Sequence, residues 1–230
     1  MTVFPFEAVL FDCDGVLVDS EPITAQVLST MLGELGWPIT QDEALRIFVG
    51  KTVRDEAALI HARTGFTLTP EWLGQFRTRR DAALARDVQA IDGAPQAVQA
   101  LHDLLGSRMA VASGADLPKV ELQLRKVGIH GYFAGRIFSG QDLPRNKPAP
   151  DVYLAAAAAL GVAPQRCAVV EDTVTGATAG VAAGATVFGY SPGGPGHSGT
   201  QALLQVGVAQ VFHDMRELPA LLAQAGVTAA

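Results

Sequence analysis

No apolar run in these 230 residues approaches the roughly 18 needed for a bilayer-spanning helix, so a transmembrane role is not expected. The longest Ala-rich piece, LAAAAALGVA at 154–163, is shorter and reads as a packed helix. A long Lys/Arg run is also lacking: 17 basic residues stand against 23 acidic ones, for a net charge of −6. Nucleic-acid binding rests on cationic neutralisation of phosphates, so no nucleic-acid partner is expected. Cysteine is scarce. Cys13 and Cys167 could form at most one bridge, and both sit in strand-like apolar runs, so reduced thiols in a cytoplasmic protein are expected. No basic-then-apolar leader is expected either, because Asp12 and Asp14 interrupt the N-terminal apolar stretch at once. What the chain has in quantity is apolar material, 49% hydrophobic against 17% charged, enough for one large or two small domains. The expected state is a monomer.

Two textures alternate along the chain. Apolar segments at 8–12, 108–113, 135–140, 167–172, 185–190 and 209–213 read as strands. Those from the second onward alternate with helical segments such as PQAVQALHDLL, LPKVELQLRKVG, PDVYLAAAAALG and TGATAGVAAG. Such alternation predicts an α/β, Rossmann-like parallel sheet covered on both faces, built from residues 1–16 and 88–230. Residues 17–87 hold no strand-like run and predict a smaller all-α, four-helix cap inserted after the first strand. Its helix starts are marked by Ser20 before Glu21-Pro22, by Thr40 with Glu43 and Thr52 with Asp55 in capping-box spacing, and by Thr69 before Pro70. Gly36, Gly50 and Gly65 fall where three of them should end. Such an insert would overhang the carboxyl ends of the strands, where open α/β sheets place their sites.

The polar residues that terminate strands carry the chemistry. Asp12 and Asp14 end the first, Ser113 and Gly114 the second, and Glu171 and Asp172 the fourth; Lys147 follows the third by a loop. Each is ordinary alone, but folding would gather four carboxylates, a hydroxyl and an ammonium in one crevice. Acidic groups bind Mg²⁺, a hard cation that takes oxygen ligands. The cation would keep Asp12 ionised and cancel repulsion between carboxylate and phosphate. Asp12 could then attack phosphorus to form an aspartyl phosphate, splitting one hard step into two. Strand alternation sets Asp12 and Asp14 on one side and Cys13 on the other, leaving Asp14 to protonate a leaving alkoxide and later activate water. Ser113 and the Gly114 N–H can hold phosphate oxygens at a strand-to-helix junction, and Lys147 adds a point charge. Gly15 would let the chain turn away sharply.

This constellation resembles the haloacid dehalogenase superfamily over nearly the whole chain. DCDGVLVDSE is similar to its first motif, Ser113 to the second, Lys147 in KPAPDVY to the third and VVEDTVTGATAGVAAG to the fourth. The insert position resembles the subgroup with a small helical cap, which includes β-phosphoglucomutase and many sugar-phosphate phosphatases. The resemblance implies Asp12 as nucleophile and metal ligand. It implies Asp14 as acid/base that also lends its backbone carbonyl to Mg²⁺, Asp172 as an inner-sphere ligand, and Glu171 acting through water or behind the ligands. Three positions depart from the commonest pattern: Gly114 where many members carry a polar residue, Asn146 where Gly often precedes the lysine, and Thr173 for a frequent Ser. Asn146 is expected to accept a left-handed backbone.

Halide leaves without protonation, so Asp14 and the Glu171–Asp172 pair favour phosphate chemistry over dehalogenation. The helix EPITAQVLSTMLGELGW has no His of the kind that mutases of this subgroup carry, which favours a phosphatase over a phosphosugar mutase. A receiver-like, phosphate-accepting signalling domain would carry its acidic pair on the first strand and its phosphoacceptor on the third, and would lack the lid. In the cap, FVGKTVRD at 48–55 is the expected specificity loop, with Gly50, Lys51 and Arg54 as candidate contacts to a small phosphorylated metabolite such as a sugar phosphate or 6-phosphogluconate. Lys51 and Arg54 read equally well as a solvated face. His61, His102 and His197 are expected at the surface or in packing, and Cys13 in the core. Trp37 and Trp72 are expected inside the cap. Gly176 and Gly180 should form a narrow helix face and Gly184 a helix end, while the macrodipole alone accounts for Asp19 and Glu21.

Overall fold

The computed structural model describes residues 4–225. Six strands form a single parallel sheet: β1 (Ala8–Phe11), β2 (Met109–Ser113), β3 (Ile137–Ser139), β4 (Cys167–Glu171), β5 (Thr186–Tyr190) and β6 (Gln210–Phe212). Their spatial order is β3-β2-β1-β4-β5-β6, so the chain runs outward from β1 in one direction and then in the other. Such a reversal opens a crevice at the carboxyl ends of the strands beside it, here β1 and β4. All six strands fall inside the segments expected from the sequence.

Side-chain alternation divides the core between the two faces of the sheet. Val9, Phe11, Val111 and Val170 pack against α5 (Ala94–Leu105), α6 (Leu117–Lys126) and α10 (Leu218–Gln224). Ala8, Leu10, Ala110 and Val169 pack on the other side against α7 (Asp151–Ala159), α8 (Val174–Ala182) and α9 (Thr200–Gln205). Small residues let α8 approach closely. A Cβ on Gly180 would lie 2.8 Å from Val187, and Gly184 ends the segment with φ +83. Helices α9 and α10 have no counterpart in the sequence reading, since six or seven residues are too few to display a helical period.

Between β1 and α5 lie four helices, α1 (Glu21–Glu34), α2 (Gln41–Phe48), α3 (Ala57–Thr64) and α4 (Pro70–Asp87). They enclose an apolar cluster of their own, in which Leu28, Met31, Leu32, Phe48, Trp72 and Phe76 are buried, with Trp37 packed against it. Thr40 and Glu43 form the expected capping box, and Thr69 accepts from the Trp72 N–H. Gly36, Gly50 and Gly65 all take positive φ just after a helix. Thr52 departs from expectation. It exchanges hydrogen bonds with Asp55, yet the helix begins only at Ala57, because the box closes a turn over 53–56. Ser20 flanks α1 but makes no cap bond. Among the described residues, no helix is long and apolar enough to cross a membrane.

Candidate active site

The chain leaves β1 through Asp12, whose N–H still bonds to the Val170 carbonyl at 3.0 Å, and then turns sharply. Gly15 makes that turn possible with φ +79, and a Cβ there would overlap the Asp172 carboxylate. Asp12 and Asp14 face one way, while Cys13 is buried the other way with Sγ 3.7 Å from Gln123 Oε1. Both cysteines are free and buried.

Lys147 is the hub. Its Nζ donates to Asp12 Oδ1 at 2.7 Å, Glu171 Oε1 at 2.6 Å and Tyr153 Oη at 3.0 Å. Tyr153, wholly buried, donates in turn to Glu171 Oε1 at 2.5 Å. The other Glu171 oxygen accepts from the Asp172 N–H at 3.2 Å and from the Thr173 hydroxyl at 3.4 Å. Asn146 corrects its expectation: no residue other than Gly takes positive φ among those described. Its side chain is what matters, with Nδ2 donating to Gly114 O at 2.9 Å and Oδ1 accepting from Lys147 N at 2.8 Å. That carboxamide ties the loop after β2 to the lysine loop. The Ser113 hydroxyl accepts from Ala115 N at 3.1 Å and lines the same cavity.

Asp12, Glu171 and Asp172 each offer an oxygen within 4.8 Å of the others, a separation one cation can bridge. Both Asp172 carboxylate oxygens are buried without a hydrogen-bond partner, a costly arrangement that a cation would relieve. Burial pushes the Asp12 carboxyl up to about 7 against the pull of Lys147. Burial, then Glu171 and Asp12, push Asp172 well above the usual carboxylate range. Burial would lower the Lys147 ammonium, but Asp12 and Glu171 hold it above its ordinary value. With Lys119, which pairs with Asp14 at 2.8 Å, the carboxyl groups here outnumber the ammonium groups. A buried, oxygen-rich acidic set of this kind suits a hard divalent cation, so the residues present fit Mg²⁺.

The helical side closes the crevice into a cavity of about 450 Å³. Gly50, at the tip of the expected specificity loop, lies against the loop after β4; a Cβ there would sit 3.4 Å from Thr173. Lys51 borders the cavity, but its Nζ pairs with Glu56 at 2.6 Å on an exposed surface. Arg54 also borders it, exposed and with no ion pair among the described residues. The sequence reading missed Arg77, which joins Arg54 on this wall; as one of four arginines on a polar helix it gives no sign of the side it faces.

Two further expectations need correction. Glu21 is more than a helix-start acid: it lines the cavity, and burial pushes its carboxyl up to about 7 against Lys119. His197 is packed, edge-on to Tyr190 at 5.7 Å between ring centres, but at the site itself. Its Nε2 lies 3.1 Å from Gly15 O and 4.0 Å from Asp172 Oδ2. The Gly/Pro-rich loop around it hid that placement.

The Asp12 strand end, the hub Lys147 and the Glu171–Asp172 pair thus converge from three distant chain segments into one acidic, metal-sized site. Residues 6–184 match the family model of haloacid dehalogenase-like hydrolases, and the chain belongs to that family as a phosphatase-type enzyme. It is 34% identical over 183 residues to 6-phosphogluconate phosphatase of Escherichia coli K12, covering 79% of this chain and 81% of that protein. Hexitol phosphatase A of the same organism is 32% identical, covering 78% and 80% of the two chains. A HAD family hydrolase from Deinococcus radiodurans R1, solved with bound phosphate and sodium, is 39% identical with a TM-score of 0.77, covering 99% of this chain and 100% of that one.

Proposed function

We propose that this enzyme is a Mg²⁺-dependent phosphatase of small phosphorylated metabolites, acting through an aspartyl-phosphate intermediate on Asp12. The observation that carries the reading is the Lys147 hub, which holds Asp12 and Glu171 beside an Asp172 carboxylate left without a partner. In the first step an Asp12 oxygen forms a bond to phosphorus as the bond to the leaving oxygen breaks, and Asp14 supplies the proton that oxygen needs. In the second, water attacks the same phosphorus, its proton passes to Asp14, and Asp12 is released. Lys147, the Ser113 hydroxyl and the Gly114 N–H hold the phosphate oxygens. Asp12, Asp172 and the Asp14 carbonyl, with Glu171 close by, would hold Mg²⁺, which would supply neutralisation of charge that otherwise repels the anionic substrate.

In this reading the helices of residues 17–87 act as a cap on a core of 1–16 and 88–230. Arg54 and Arg77 on the cap wall suit a substrate with a second anionic or hydroxyl-rich end, as in a phosphorylated sugar acid or sugar phosphate. Activity of the named relatives toward 6-phosphogluconate and hexitol phosphates supports that choice. The test is inorganic phosphate release from a panel of these compounds. Asp12→Asn should lower turnover by at least ~10³-fold, and chelation by EDTA should abolish it until Mg²⁺ is restored. Asp12→Asn retaining activity would overturn the nucleophile assignment. Conversion of glucose 1-phosphate to glucose 6-phosphate with a bisphosphate primer would replace the phosphatase with a mutase.

A further inference from the structure

Helix α6 carries two buried polar side chains that the chemistry above does not use. Lys119 is 5% exposed and Gln123 is wholly buried, although they sit among Val120 and Leu124 on the packed face of the helix. An ammonium in such a place costs more than a well-packed apolar side chain would, unless it serves a partner. Both serve Asp14. Lys119 Nζ lies 2.8 Å from Asp14 Oδ1, Gln123 Nε2 donates to the same oxygen at 3.0 Å, and the Ser20 hydroxyl donates to it as well. The carboxamide of Gln123 is itself oriented, since its oxygen faces the Cys13 thiol.

Three donors fill the lone pairs of Oδ1. Oδ2 accepts no hydrogen bond among the described residues, and Asp14 lines the cavity. From this geometry we infer that Lys119 and Gln123 are positioning residues for proton transfer, locking the Asp14 carboxylate so that Oδ2 alone takes and gives the proton. The inference rests on the phosphatase reading above. Lys119 also borders the cavity, but its Nζ is engaged by Oδ1, so its role is to aim the carboxylate. The step that depends most on the lock is the second, in which the O–H bond of water breaks, its proton goes to Oδ2 and the phosphorus–Asp12 bond is cleaved.

p-Nitrophenyl phosphate separates the two steps, because its leaving group departs without a proton. In Lys119→Met the first turnover should stay near the wild-type rate while steady-state kcat falls ~10–100-fold, with KM within about threefold of wild type. The product trace then shows a burst approaching one nitrophenolate per site, and intact mass after acid quench shows the phosphorylated chain accumulating. Lys119→Gln, which keeps a donor without the charge, should fall between the two and melt close to wild type, separating aim from folding. Equal slowing of first and later turnovers in both variants, without phosphorylated chain, would overturn the inference. Unchanged kcat would do the same. Wild type inactive on every phosphate ester, or active independently of Asp12, would instead overturn the phosphatase reading.

Discussion

At the scale of single residues, the site is built as much from missing side chains as from present ones. Gly176 opens α8 directly beneath Glu171, and a Cβ there would overlap the carboxylate. Gly176→Ala should therefore displace Glu171 from Lys147 and Tyr153. We expect about 1–3 kcal/mol of lost stability in urea unfolding and a ~10²-fold loss of kcat. Wild-type activity in that variant would mean that Glu171 has room to move without consequence. Asp12, Asp14, Glu171 and Asp172 were legible in the sequence because polar residues ending apolar strands stand out, and Lys147 because KPAPDVY resembles a family motif. Lys119, Gln123 and Tyr153 were not. A lysine and a glutamine four apart on a helix look like a solvated face until the neighbouring Val120 and Leu124 are known to point inward. Tyr153 reads as a core aromatic, and only the fold brings its hydroxyl to Glu171.

At the scale of elements, local signals worked where a side chain had nothing better to bond. Thr40 caps α2, its hydroxyl accepting from Glu43 N at 3.2 Å while the Glu43 carboxylate accepts from Thr40 N at 2.7 Å. Thr40→Ala should cost about 1 kcal/mol, measurable as a lower melting temperature with kcat unchanged. A melting temperature equal to wild type would mean the box contributes nothing net. Ser20 shows the opposite case. It occupies a capping position at α1, but its hydroxyl turns to Asp14, because a buried carboxylate is the stronger acceptor. The six strands were legible because parallel strands buried on both faces are apolar throughout. Helix starts were less so, as Thr52 shows, since the same reciprocal bonds can close a turn.

At the scale of the molecule, a largely buried ion pair links the helical insert to the sheet's helices. Arg80 of α4 lies 3.0 Å from Asp116, the N-cap residue of α6, and also pairs with Asp81 at 2.8 Å. Burial would raise the Asp116 carboxyl, but the Arg80 guanidinium beside it keeps it below its usual value of 3.8. A carboxyl depressed in the folded state adds stability above the unfolded value, and that stability is lost as pH falls through the folded one. Asp116→Asn should therefore cost about 2–3 kcal/mol at pH 7, with the difference from wild type shrinking below about pH 4. Denaturant unfolding at both pH values measures it, and a pH-independent difference would remove the ion pair as the cause. Neither partner announces this contact in the sequence, because 36 positions separate them and each has a nearer opposite charge or helix end to serve.

The sheet order has a consequence for how the chain is made. Strand β1 is synthesised first yet lies between β2 and β4, with Val9 beside Met109 on one side and Ala168 on the other. A chain emerging from the ribosome holds this apolar segment without either neighbour until the helical insert and then much of the remaining sequence have followed. Translation thus delivers the strand that carries Asp12 long before the neighbours that shelter it.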